Sequence, residues 1–268
     1  MSTFYHVDPY EVVNRNLRQS CNRTCELENG ENNVTLAFIS PAKNCQDMFR
    51  DCVNIFEVDF TDFSFSQVAT MYGMLKNCRR LKKINFGNID TSSLVSMRAL
   101  FYRCESLESL DLSKFNTSSL QRMDEMFTYC LNLHSIDLSN FSTAKISSMY
   151  IIFAYCTKIK YINLSNFNTS FVNTMESAFY NCAELSSIDL SSFNTRNVKT
   201  LRSMFYDCKS LTWVNLSNFD TSSVINLEMM FYNCENLISV DLSSFNTKKV
   251  EIMRLTFYKC HKLQWLDL

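Results

Sequence analysis

The chain has 268 residues, 46% hydrophobic and 20% charged, which suffices for an extensive buried core. Its 26 basic and 27 acidic side chains leave a formal charge of -1, which excludes the basic excess needed to bind nucleic acid or an anionic membrane. No apolar run reaches the length of a membrane span, so no membrane insertion is expected.

The opening Met1 to Pro9 lacks the basic start and apolar run of a secretory leader; taken literally, this points to a soluble intracellular chain. Residues 1–43 are aperiodic, polar from Asn14 to Asn33 and apolar from Val34 to Ile39. Because the first coil of a solenoid exposes an apolar edge, this stretch is expected to be an N-terminal capping segment, followed by the solenoid over 44–268. Cys21 and Cys25 lie in the polar part, outside the periodic pattern, and either pair or stay free.

From Asn44 the chain repeats with a 26-residue step. Phenylalanine falls at Phe49, Phe101, Phe127, Phe153, Phe179, Phe205, Phe231 and Phe257, with Leu75 in the one gap. Cysteine keeps the same step from Cys52 and Cys78 through Cys104, Cys130, Cys156, Cys182, Cys208 and Cys234 to Cys260. A fixed period of this length marks a solenoid of about nine coils, each burying its apolar flank against the next. The cysteines sit in an apolar Phe-x-x-Cys-x-x-Leu context and are expected to be a reduced, buried ladder, and Cys45 takes a core position. His6, His134 and His261 are scattered, so neither a zinc site nor any other metal or cofactor is expected.

Each coil carries two patterns. Leu120, Met123, Met126, Phe127 and Cys130 match one stripe of a short α-helix, with Thr117-Ser118 at the N-cap. The same hydroxyl pairs recur at Thr91-Ser92, Thr169-Ser170 and Thr221-Ser222. Their threonines form a row that helix capping explains and that a flat ice-binding surface would also use. The second pattern, Leu110-Asp111-Leu112-Ser113, alternates as a strand of about three residues. The expected fold is therefore an α/β solenoid of leucine-rich-repeat type, a horseshoe with a parallel inner sheet and short outer helices.

The stretch Ala178-Phe179-Tyr180-Asn181-Cys182-Ala183-Glu184-Leu185-Ser186-Ser187-Ile188-Asp189-Leu190-Ser191-Ser192-Phe193-Asn194-Thr195 resembles the repeat of BspA-like leucine-rich-repeat surface proteins. The resemblance extends over about residues 45 to 268. It implies a secreted or surface-attached protein of adhesion and interaction, without catalysis, although neither leader nor wall anchor is visible.

Read in rows, the strand positions give Asp59, Asn85, Asp111, Asp137, Asn163, Asp189, Asn215, Asp241 and Asp267 on the exposed side. Beside them run Glu57, Lys83, Ser109, Ser135, Tyr161, Ser187, Trp213, Ser239 and Trp265. The expected binding residues are Tyr161, Trp213 and Trp265, two coils apart and about 10 Å from one to the next, with Asp189 and Asp241 between them. Calcium is disfavoured, since a flat row of carboxylates does not converge on one ion. No catalytic residues are expected, because phosphate loops, nucleophile elbows and metalloprotease motifs are all missing from the sequence. The partner expected at the inner face is a protein, peptide or glycan. The alternative is a rigid structural or assembly segment of a larger protein, self-associating through the apolar edge that ends at Trp265-Leu266-Asp267-Leu268.

Overall fold

The computed structural model describes residues 11–14, 19–21, 34–37 and 42–267. Strands β1 (Glu11–Asn14), β2 (Gln19–Cys21) and β3 (Val34–Ala37) form an antiparallel sheet in the order β2-β1-β3. The pairing of Cys21 and Cys25 lies outside the described residues.

The repeating region contributes three-residue strands: β4 (Glu57–Asp59), β5 (Lys83–Asn85), β6 (Ser135–Asp137), β7 (Tyr161–Asn163), β8 (Ser187–Asp189), β9 (Trp213–Asn215), β10 (Ser239–Asp241) and β11 (Trp265–Asp267). In the middle of the chain the central apolar residue of each strand points inward; Ile136, Ile162, Ile188, Val214 and Val240 are all buried while their neighbours face solvent. Partners are always 26 residues apart, as in Ser187↔Trp213 and Ser239↔Trp265, so the period sets the register. The expected continuous inner sheet is instead a series of parallel pairs, β4-β5, β6-β7, β8-β9 and β10-β11. Residues 109–111 have the strand pattern in sequence but make no strand, and pairing resumes at β6.

The expected outer helices are not formed; among the described residues no segment is helical. Around Phe101 the backbone shows why. The amides of Met97, Ala99, Phe101 and Arg103 donate to the carbonyls of Arg122, Asp124, Met126 and Thr128 in the next coil. The amides between them close i→i+3 turns, Leu100 to Met97, Tyr102 to Ala99 and Cys104 to Phe101. Ala99 and Arg103 have positive φ, 50° and 58°, and so reverse the hand every fourth residue, which no right-handed helix allows. The pair recurs at Glu125 and Tyr129, Ile151 and Tyr155, and Ser203 and Asp207; among the described residues glycine takes the position only at Gly73. A train of overlapping turns with φ > 0 at every fourth residue replaces the helix, and half its amides bond between coils rather than within one. The stripe that suggests a helix is buried all the same: Leu120, Met123, Met126, Phe127 and Cys130 are fully inaccessible.

The threonine row is a second correction. It is neither a set of helix caps nor an exposed ice-binding surface, because Thr91, Thr117, Thr143, Thr169, Thr195 and Thr221 are buried and only the last of the row, Thr247, is exposed. The Thr169 hydroxyl donates to the Asn194 carbonyl at 2.9 Å and accepts the Asn194 amide at 2.8 Å, clamping one coil to the next. Thr91 holds Asn116 in the same way. The turn is capped by the preceding residue, whose carboxamide or carboxylate accepts an amide two residues on, as Asn168 does from Ser170.

The core consists of vertical rows. The rings of Phe101, Phe127, Phe153, Phe179, Phe205, Phe231 and Phe257 stack with centroids 5.2 to 5.7 Å apart. A second stack runs through Phe167, Phe193, Phe219 and Phe245. Cys45 and the ladder cysteines from Cys78 to Cys260 are free thiols. From Cys78 onward each ladder thiol donates to a carbonyl of the preceding coil, as Cys156 does to Phe127 at 3.1 Å and Cys182 to Phe153 at 3.3 Å. A buried S–H thus finds an acceptor without any disulfide.

Candidate binding face

The strand rows form the exposed face expected to bind. Tyr161, Trp213 and Trp265 open strands β7, β9 and β11, and they remain 58%, 47% and 53% exposed. Their neighbours Ile162 and Val214 are buried, so the alternation of the strand lifts the rings outward. At the first strand position the other coils carry Glu, Lys or Ser, so these three rings recur in every second coil of one row.

Asp189 and Asp241 stand on β8 and β10, the strands between those aromatics. Each first serves its own turn. Asp189 accepts the Ser191 amide at 2.9 Å, and Asp241 accepts the Ser243 amide at 2.9 Å and the Ser243 hydroxyl at 2.6 Å. The backbone bond from Ser191, reinforced by its hydroxyl, holds the Asp189 carboxyl below the usual carboxylate range. For Asp241 the Ser243 hydroxyl does so first and the amide second. Asn163 and Asn215 close the same turn through Ser165 and Ser217. The acidic row is therefore a row of turn caps, which leaves its charge a separate matter from its structural duty.

Pairing the two rows residue by residue gives a pattern. Coils with a bulky exposed residue at the first position carry asparagine at the third: Lys83 with Asn85, Tyr161 with Asn163, Trp213 with Asn215. Coils with serine carry aspartate: Ser109 with Asp111, Ser135 with Asp137, Ser187 with Asp189, Ser239 with Asp241. Glu57 with Asp59 and Trp265 with Asp267 depart from it. From Tyr161 to Asp241 rings and carboxylates alternate from coil to coil, and the next coil carries both, Trp265 and Asp267.

The opposite side carries features that individual letters do not announce. Tyr102, Tyr129, Tyr155, Tyr180, Tyr206, Tyr232 and Tyr258 form a continuous stack, with centroids 4.3 to 5.9 Å apart. The column steps one residue late from Tyr102 to Tyr129 and one early from Tyr155 to Tyr180, which hides it from a strict 26-residue reading. From Tyr129 onward the rings lie largely face to face, while Lys76 and Arg103 cover Tyr102 and Tyr129, so this column braces the turns. Beside it Arg202 bridges Glu176 and Glu228, both at 3.1 Å, and Arg254 reaches Glu228 at 2.9 Å.

Burial pushes the Cys45 thiol up to about 12 and Cys260 to about 11, and fully enclosed thiols such as Cys104 and Cys156 higher still, so thiolate is scarce at neutral pH. His134 and His261 are exposed in separate coils, and His6 lies outside the described residues. Among the described residues no group of three or more His, Cys, Asp or Glu side chains is placed to hold a metal ion. Among those residues, too, no helix is long and apolar enough to cross a membrane.

A family model described as "Mycoplasma protein of unknown function, DUF285" matches residues 43–167 and 147–266. No curated protein matches the chain. Among solved structures, a leucine-rich repeat protein from Bacteroides ovatus is 19% identical, with 98% of this chain and 70% of that one aligned at a TM-score of 0.51. A leucine-rich repeat protein of T. pallidum is 21% identical over 72% of this chain and 69% of its own, with a TM-score of 0.37. One from Eubacterium ventriosum is 16% identical over 80% and 78%, with a TM-score of 0.34.

Proposed function

Because the chain belongs to the DUF285 family, whose repeats are those of BspA-like leucine-rich-repeat proteins, we propose that it is a non-enzymatic binding scaffold that offers its strand face to a partner in surface adhesion. A protein or peptide partner suits a leucine-rich-repeat solenoid best, and a glycan is the other ligand that exposed rings take. The observation that carries the reading is the alternate-coil row of Tyr161, Trp213 and Trp265, each about half exposed where the remaining coils present smaller or charged groups. Exposed aromatics of this size supply most of the contact energy when a partner covers them.

The test compares wild type with a variant carrying Tyr161→Ala, Trp213→Ala and Trp265→Ala. Both are immobilised and exposed to the same mixture of extracellular proteins and glycans. The variant is expected to melt at nearly the wild-type temperature and to lose the ligand that wild type retains. Equal retention by both would reject this face as the binding surface.

A further inference from the structure

The alternation of rings and carboxylates says more about the partner. Ser239 lies between Trp213 and Trp265, one coil from each, and Ser187 lies likewise between Tyr161 and Trp213. A small side chain flanked by two large exposed rings leaves a notch. Each notch ends in a carboxylate on the same face of the same strand, Asp241 for Ser239 and Asp189 for Ser187. Ser187 pairs directly with Trp213 and Ser239 with Trp265, about 4.8 Å apart as paired strands are, so a cation seated over either serine lies within cation–π range of that ring and has the ring of the preceding coil on its other side.

Within this chain the arrangement already occurs between coils. Arg80 lies over the Phe56 ring at 4.2 Å, and Lys76 over Tyr102 at 4.4 Å. No Lys or Arg of the described residues lies over Tyr161, Trp213 or Trp265, and none of them pairs with Asp189 or Asp241. Of the residues that precede these strands, Ser186, Thr212, Ile238 and Gln264 are neutral, and Lys160, before Tyr161, is held by Glu184 at 3.6 Å. Two notches with aromatic walls and an anionic end are thus left without a cation.

We infer that the strand face binds a basic polypeptide segment whose Lys or Arg side chains enter the notches over Ser187 and Ser239. This rests on the reading of that face as the binding surface and adds the chemistry of what it takes. The spacing narrows the conformation. The two notches are two coils apart, about 10 Å. Residues on one face of an extended strand recur at about 7 Å, whereas every third residue of a polyproline II segment recurs at about 9 Å. The fitting ligand is therefore a polyproline II stretch with a base at every third position. Its exposed carbonyls gain nothing from carboxylates, so affinity comes from the bases.

The chain contains two tryptophans, both at this site, so intrinsic tryptophan fluorescence reports on the notches alone. Titration of the whole chain at low salt with a short Lys-Pro-Pro repeat peptide is expected to give a saturable change that salt suppresses. Asp189→Asn with Asp241→Asn should weaken it about tenfold, as loss of two charge partners implies. Asparagine already closes this turn at Asn163 and Asn215, so the double variant keeps its fold. Ser187→Tyr with Ser239→Tyr, which fills the notches, should abolish binding. A Glu-Pro-Pro repeat and a linear glucose oligosaccharide serve as comparison ligands. A fluorescence change with either that the asparagine variant leaves intact would overturn the cationic ligand while keeping this face as a binding surface. No change with any ligand would also overturn it, and the reading of the face would then be decided by the retention experiment alone.

Discussion

The two sides of the coil obey the same period and use it in opposite ways. On the turn side and in the core, equivalent positions hold nearly the same letter, and the letters become columns: stacked phenylalanines, thiols on carbonyls, buried threonine clamps. On the strand side the backbone follows the same period, yet the first strand position runs through Glu, Lys, Ser, Tyr and Trp. Uniform columns build the solenoid, and the column that varies while staying exposed is where a particular partner can be read.

That contrast can be broken most forcefully in the core. Phe153→Ala opens a fully buried gap between Phe127 and Phe179 and should cost about 3–5 kcal/mol by denaturant melts. Trp213→Ala, on the strand face, should cost roughly 1 kcal/mol or less. Equal losses would erase the distinction.

Thr169→Val keeps shape but strips the hydroxyl that serves both the amide and the carbonyl of Asn194. About 1–3 kcal/mol should be lost, and Thr169→Ser should restore most of it. A neutral valine would mean that the clamp is ornamental.

Thiol reactivity sharpens the same contrast along the axis. Alkylation near pH 8 with peptide mapping should label Cys260, half-buried and with its thiol at about 11, before Cys156, which is fully enclosed. Cys156 should react only on unfolding, and early labelling there would contradict a closed core.

The smallest effect concerns the turn caps. Asp111 and Asp137 are held below the usual carboxylate range, first by the hydroxyls and then by the amides of Ser113 and Ser139. Because the folded value lies below the unfolded one, their stabilisation is present above about pH 4 and fades as the pH falls through the folded value. Asp111→Asn with Asp137→Asn should flatten the acid limb of the stability profile slightly, and an unchanged limb would assign it to other carboxylates.

Much of this architecture is legible because identical letters at identical spacing become neighbours. The Phe and Cys rows, the register of Ser187 against Trp213, and the outward placement of Tyr161, Trp213 and Trp265 all follow from counting. The backbone of the turn side is not legible. Leu120, Met123, Met126 and Cys130 recur every three or four residues, and a short run cannot separate a helix from a train of i→i+3 turns. Some reversals fall on Gly73, Asn77, Asn181 and Asn233, which tolerate positive φ, but others fall on Glu125, Tyr129 and Ile151, which do not announce it, so no consistent letter marks the position. Thr169 reads as a surface cap because its partner, Asn194, lies 25 residues away, beyond any local pattern. Asp189 and Asp241 stand out in the sequence as charges, but their turn-closing role shows only in the bond to a residue two places on.

The inter-coil bonds of the turn side also have a direction. Met97, Ala99, Phe101 and Arg103 give their hydrogens forward to the following turn, and Glu125, Phe127 and Tyr129 do the same for the one after. Such a stack is a one-way thread: a turn inserted upside down would set donor against donor. Growth or shortening of the molecule, whether by recombination or by a designer's hand, can therefore proceed only in whole, like-oriented units.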